Sequence, residues 1–419
     1  METSLPNGVK VVAMPTTSFR MVTVRVIWRL EMGPETTAQA LVPMVLRRGS
    51  RRLPASQDLT AAFESLYGAS FDVDAQKMGN AHLLIAEVEV PSDRYLPEPV
   101  EGETLKLFQE VLTDPLLVGG AFDPEYIRQE KSALRQTLQS IVNDKGQYAH
   151  MKMLEAMFEG DPYSQTRYGT LDALDGTDDE DIFRAYRLVR DEAPLHIYAV
   201  GDIDAERFTE EALELFGGLP DRRERGLVPP HGAGGEKVKE LTETEDVGQG
   251  KLVLGYRTAS SVFDPGYTAL GVANGIFGAY SHSKLFRNVR EKASLAYYAS
   301  SRVDGFKGLL TVQSGIDPAT RERTLGIIGE QLEDVRNGKF TDDEMAMTVK
   351  TMENQLRAQE DSPASLIMTH YQLTLAGRPF SLPERLRRLR EITREDVQEA
   401  ARGIRLDTVF FLTKGEAAS

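Results

Sequence analysis

Arg290 and Tyr297, seven residues apart in the stretch SHSKLFRNVREKASLAYYAS (Ser281 to Ser300), carry the clearest chemistry in the sequence. Leu285, Phe286 and Val289 give the first part the spacing of an amphipathic helix that ends at Arg290. A turn over Lys292 to Ser294 follows, and Tyr297 opens a strand. A guanidinium is a permanent cation with a fork of donors, and a phenol adds an O–H donor. Held on either side of one turn, the two suit an anionic oxygen. The plain structural reading of the same residues is an arginine complementing a helix C-terminus and a tyrosine packed in a strand.

The elements around the pair occur twice. AFDPEYIRQEKSALRQTL from Ala121 and KFTDDEMAMTVKTMENQL from Lys339 share a Phe, an acidic N-cap region and a long helical pattern, 218 residues apart. GDPYS (Gly160 to Ser164) and GRPFS (Gly377 to Ser381) repeat at an offset of 217. Thr177 with Glu180 and Thr393 with Asp396 read as capping boxes at an offset of 216. Earlier, LTAAFESLYGASFDV from Leu59 stands where SKLFRNVREKASLAYYA stands from Ser283, each reading as helix, turn and strand. A constant order at nearly constant spacing predicts two copies of one fold.

The stretch PDRRERGLVPPHGAGGE between the copies is dense in Pro, Gly and charge and reads as a linker. The expected domains are therefore 1–219, a linker over 220–236, and 237–419. Strands such as VTVRVIW (Val22 to Trp28) precede helices in each half, which favours α+β with helices on one sheet face. Asp123-Pro124 and Asp317-Pro318 read as N-cap plus first-turn proline, and Leu325, Ile328, Leu332 and Val335 as the apolar stripe of the helix after the second.

Composition narrows the function. With 419 residues and 41% hydrophobic content the chain can build two full cores. The absence of Cys excludes disulfides, thiolate zinc sites and cysteine nucleophiles. A formal charge of −15 disfavours nucleic acid and anionic membranes and favours basic partners. The opening METSLPNGVK has no charged segment followed by an apolar one, and no run of about 18 apolar residues occurs, so a cytoplasmic protein is expected. No GxSxG elbow, Walker loop or GxGxxG after a strand is present.

The LFRNVREKASLAYY pattern resembles the C-terminal half of the insulinase/pitrilysin zinc peptidases, and with the duplication the resemblance covers essentially the whole chain. It implies two homologous α+β domains, each a mainly antiparallel sheet covered by helices as in the mitochondrial processing peptidases, in a clam-like chain. It also implies that Arg290 and Tyr297 bind a substrate carbonyl and stabilise the oxyanion formed when zinc-bound water attacks. In catalytic members the first helix carries H-x-x-E-H. The string ALVPMVLRRGS places Ala40, Pro43 and Met44 where His, Glu and His would stand. The third ligand of the family is a Glu seven residues after another Glu; Glu130 is kept, but the later position is Thr137.

The six histidines, His82, His150, His196, His231, His282 and His370, form no i,i+4 pair. His196 is expected in the core, His231 in the solvated linker and His282 in a loop or capping role. ALVPMVLRRGS, SLYGASFDV, SIVNDKGQYA and GDPYS resemble the zinc-less, YmfF-like branch of the family. The resemblance implies no metal in this chain and a non-catalytic subunit of a heterodimeric metallopeptidase. That subunit supplies Arg290 and Tyr297 in trans to a zinc-bearing paralogous subunit and helps bind peptide. A structural scaffold, and a peptidase with an unrecognised metal site, are the alternatives. Family members take peptide as an added strand on a sheet edge; Gly79 to Pro91 and Gly308 to Gly315 are the candidate edges. The runs Arg47, Arg48, Arg51, Arg52 and RLRRLRE near Arg385 read as solvated helix faces.

Overall fold

The computed structural model describes residues 1–229 and 237–414. The first half runs β1 (Glu2–Ser4), β2 (Lys10–Pro15), β3 (Met21–Glu31), α1 (Thr36–Leu46), α2 (Ser56–Ser65), β4 (Ser70–Met78), β5 (Ala81–Pro91) and α3 (Glu101–Thr113). A two-residue hairpin, β6 (Leu117–Val118) and β7 (Ala121–Phe122), leads to α4 (Pro124–Asn143), α5 (Lys145–Met157), α6 (Leu171–Gly176), α7 (Asp179–Asp191), β8 (Leu195–Gly201) and α8 (Ala205–Phe216). The second half runs β9 (Lys239–Thr244), β10 (Gly250–Thr258), α9 (Tyr267–Asn274), β11 (Ala296–Asp304), β12 (Leu309–Ile316), α10 (Arg321–Arg336) and α11 (Asp342–Ala358). It ends with α12 (Pro363–Leu375), α13 (Leu382–Arg390), α14 (Arg394–Arg402) and β13 (Ile404–Thr413).

The duplication is visible in the sheets. One has the order β1-β2-β8-β3-β5-β4 and the other β11-β12-β10-β13-β9. Read from the opposite end, the second repeats the first without β1. In both, one pair is parallel (β2 with β8, β9 with β13) and the remaining neighbours are antiparallel. The edge strands are thus β1 and β4 in the first sheet and β11 and β9 in the second. This corrects the expected edges: Gly79 to Pro91 becomes β5, between β3 and β4, and Gly308 to Gly315 becomes β12, between β10 and β11. Burial follows the pairing order: β5 and β12 are buried along most of their length, whereas β4 and β11 alternate buried and more open positions.

Contacts divide the chain into two compact units that are not the contiguous halves. The first comprises Met1–Gln139, Thr166–Gly226 and Asp361–Tyr371; the second comprises Ser140–Gln165, Leu227–Glu360 and Gln372–Ser419. Side-chain alternation explains why each sheet recruits a segment from the other half. In the first unit, Val24, Val26, Trp28 and Leu30 of β3 and Ile197 of β8 pack in one core with Leu41, Phe63, Phe108 and Tyr186 of the helices. The opposite face presents Arg25, Arg29, His196 and Tyr198, and there Tyr371 of α12 meets the His196 ring edge-on at 5.1 Å. In the second unit, Leu252, Leu254 and Tyr256 join the core with Leu270, Phe277, Ile328 and Leu332, while Val253, Phe410 and Leu412 are covered by Met153 and Met157 of α5. Gly255 lets α5 come close, because a Cβ there would stand 2.5 Å from both methionine sulfurs.

Local signals are partly displaced. The Thr393–Asp396 capping box forms, but the first copy of the box is Asp178 with Asp181, and Thr177 instead donates to the Ala173 carbonyl at 2.7 Å. Asp317 caps a short 3-10 turn, Pro318–Thr320, that runs into α10, whose Ile328, Leu332 and Val335 are buried. The expected linker is anchored near its start. Arg222 is buried and donates to the carbonyls of Ala193 (2.7 Å), Val189 (3.3 Å) and Arg190, and its own N–H bonds the Asn7 carbonyl at 2.8 Å. Gly8, at φ +83°, permits this approach: a Cβ would lie 2.2 Å from the Arg222 oxygen. His231 lies outside the described residues.

Candidate functional site

Helix α1 is buried at ten of its eleven positions. Ala40, Pro43 and Met44 share one face at i, i+3 and i+4. Ala40 and Pro43 are buried, and Met44 packs against the first core. The helix tolerates Pro43 although the ring removes an N–H from its interior. Thr137 and Glu130 lie two turns apart on α4; the Thr137 hydroxyl donates to the Ala133 carbonyl at 3.1 Å. Glu130 is buried and held in an ion pair by Arg48, whose guanidinium also lies 5.4 Å from the centre of the Tyr126 ring.

These residues do not fit zinc. The metal requires imidazole, thiolate or carboxylate donors. A methyl group, a proline ring, a thioether and a hydroxyl stand where the resemblance places the ligands and the base, and the Glu130 carboxylate is engaged by Arg48. No cluster of three or more His, Cys, Asp or Glu placed to hold an ion occurs among the described residues.

Beneath α1, Gln39 reaches the buried His82 of β5 (Oε1 to Nδ1, 2.8 Å), and the His82 Nε2 has no hydrogen-bond partner. Burial pushes this imidazole from 6.5 down to about 4, so it is neutral at pH 7. His82 therefore fixes α1 to the sheet. His196 is buried, as its strand context predicts, with its Nε2 2.8 Å from a Glu224 carboxylate oxygen. His282 sits in a loop beside Thr348 Oγ1 at 3.0 Å, and His370 Nδ1 lies 3.1 Å from the Tyr198 hydroxyl.

Arg290 does not close an α-helix. It lies within a π-helical turn, Phe286–Lys292, a rare winding that is frequent at functional sites and that Gly275–Ala279 also adopts. Leu285 and Val289 are buried as expected, while Phe286 is half-buried and carries the Arg290 guanidinium 4.6 Å from its ring centre. Ser294 follows at φ +52°; it and Tyr67, in the corresponding turn before β4, are the chain's non-glycine residues at positive φ among those described. Tyr297 is the second residue of β11, and the register with β12 slips between Ala296 and Tyr298, so Tyr297 is the extra residue of a β-bulge. It is 79% exposed. Neither Arg290 nor Tyr297 has a hydrogen-bond or ion-pair partner among the described residues, which the packed-aromatic reading of Tyr297 does not explain.

The basic run proves to be ion-paired. Arg47 meets Asp72 at 3.0 Å, Arg51 meets Asp114 at 2.9 Å and Arg52 meets Glu110 at 2.9 Å. Arg48 was the residue the sequence concealed, since its partner is 82 positions away. Near Arg385, Arg387 pairs with Glu391, Arg388 with Glu384 and Arg390 with Glu353.

Two like-built α+β sheets match the metallopeptidase fold that the resemblance implies, and the comparisons agree. Residues 189–352 match the model of the peptidase M16 inactive domain. The chain is 37% identical over 389 residues to the "probable inactive metalloprotease YmfF" of Bacillus subtilis, covering 92% of this chain and 91% of that protein. An uncharacterized zinc protease of Streptomyces coelicolor is 25% identical over 96% of the chain and 86% of its own length. The crystal structure of a conserved protein from Enterococcus faecalis superposes with a TM-score of 0.93 at 30% identity, covering 100% of this chain and 99% of that one. A peptidase M16 inactive domain from Pseudomonas fluorescens superposes at 0.81 with 18% identity over 100% and 99% of the two chains. The chain belongs to the M16 peptidase family, as an inactive-type homologue. Among the described residues no helix is long and apolar enough to cross a membrane.

Proposed function

We propose that the chain is the zinc-less subunit of a heterodimeric metallopeptidase of the cytoplasm. In this reading it helps bind peptide and supplies Arg290 and Tyr297 to the site of a zinc-bearing paralogue. The observation that carries the reading is the contrast between the two halves of one expected site. The positions where the resemblance places the ligands hold non-ligands and Glu130 is neutralised by Arg48, whereas Arg290 and Tyr297, on a π-turn and a bulge, have no hydrogen-bond or ion-pair partner among the described residues. Residues kept only for packing would be buried, as their neighbours Leu285 and Val289 are. The alternative of a structural scaffold predicts complex formation without activity. The test is to assay the pure chain, a zinc-bearing M16 paralogue from the same cell, and their mixture against an unstructured peptide. Activity that rises on mixing, with no stoichiometric zinc in this chain, supports the proposal; a stable complex no more active than the paralogue alone supports the scaffold. Stoichiometric zinc in this chain would support an independent peptidase.

A further inference from the structure

The second unit contains an open cleft of about 600 Å³ where the turn before β10 meets the start of α5, bordered by Tyr298 of β11. Its acidic groups are already engaged or at the rim. Asp144 accepts from the Gly146 N–H (2.9 Å), the Gln147 N–H (3.0 Å) and the Gln147 side chain (2.9 Å); Glu245 pairs with Lys145; Asp246 is exposed. The unfilled valences are donors. Lys251 gives one N–H to Gln249 Oε1 at 3.0 Å, lies 5.7 Å from the Tyr298 ring centre, and has no carboxylate in ion-pair range among the described residues. Gln249 Nε2, on the amide whose oxygen Lys251 holds, is buried without a partner. Gly146 and Gly248 add no side chain to the wall. Asp144 feels the Lys251 charge only as the last of the causes that lower its own carboxyl, after the Gln147 and Gly146 hydrogen bonds, so the half-buried ammonium keeps donors to spare.

Strand direction says what reaches the cleft. β11 is an edge strand, and the cleft lies at its N-terminal end. An extended peptide added antiparallel to β11 brings its C-terminal end there, whereas a parallel one would bring an ammonium toward Lys251. We infer that this cleft binds the C-terminal carboxylate of an extended peptide, with Lys251 as the cation and the Gln249 amide as a second donor. The inference rests on the peptide-binding part of the proposed function but not on donation in trans.

The test uses the isolated full chain and fluorescein-labelled nonapeptides of alternating threonine and lysine. One has a free C-terminus, one is amidated, and one is amidated with a central glutamate; binding is read by anisotropy. The free acid is expected to bind at least about tenfold more tightly than the amide, and Lys251→Met and Lys251→Gln to abolish that preference. Equal binding of acid and amide, or a preference that survives both variants, overturns the assignment. If the glutamate peptide matches the free acid, the cleft takes side-chain carboxylates and the chain-end assignment is wrong. If no peptide binds, the peptide-binding part of the proposed function fails with it.

Discussion

Arg48 closes an ion pair on the buried Glu130 of α4. The carboxylate is buried, so its charge is tolerated only because the guanidinium answers it. Arg48→Met is expected to lower stability by about 2 kcal/mol, and adding Glu130→Leu to restore most of the loss. Urea denaturation measures both. A loss that persists in the double variant would mean that Arg48 acts through packing against Tyr126.

His82 predicts an acid limit. Its folded-state value, about 4, lies below the ordinary 6.5 because burial disfavours the imidazolium. As pH falls through 6.5 the unfolded chain takes up a proton that the folded chain refuses, so stability drops from there down to about pH 4, by roughly 3 kcal/mol at most. His370 and His282, also lowered by burial, act with the same sign. Melting curves between pH 7.5 and 4.5 should show the slope, and His82→Gln should flatten it in part.

Gly255 predicts a steric limit. Gly255→Ala would put a methyl against the Met153 and Met157 sulfurs and is expected to cost about 2 kcal/mol. Met153→Ala in the same background should recover part of the loss by making room, as measured by thermal denaturation.

The exchanged segments predict mutual dependence of the halves. A fragment from Lys237 onward lacks α5 and would expose Val253, Leu309, Phe410 and Leu412. It is expected to aggregate when expressed alone and to become soluble when co-expressed with residues 1–229. A soluble, cooperatively melting fragment would contradict this.

Much of this architecture is legible in the sequence because duplication leaves a direct trace. The Phe-acid-helix block at Ala121 and Lys339 marks α4 and α11, and both are followed by the helix that covers the opposite sheet. What escaped was set by distance or geometry. Arg48 and Glu130 are far apart in the chain, the segment at Arg222 buries a guanidinium through carbonyls that no motif announces, and the edge strands follow from pairing order. The π-turn at Arg290 and the bulge at Tyr297 shift each residue from where regular periodicity puts it. The sequence identified the residue types of the pair; their exposure needed the backbone.

Arg290 and Tyr297 are proposed to serve chemistry in another chain. The most direct measurement is kcat/KM of the complex with a zinc-bearing paralogue, using wild-type chain, Arg290→Ala and Tyr297→Phe at matched complex formation. Loss of an oxyanion donor lowers the rate by about 100-fold, so each variant should fall on that order while still binding the paralogue. A complex that cleaves peptide equally well with both substitutions would contradict the account.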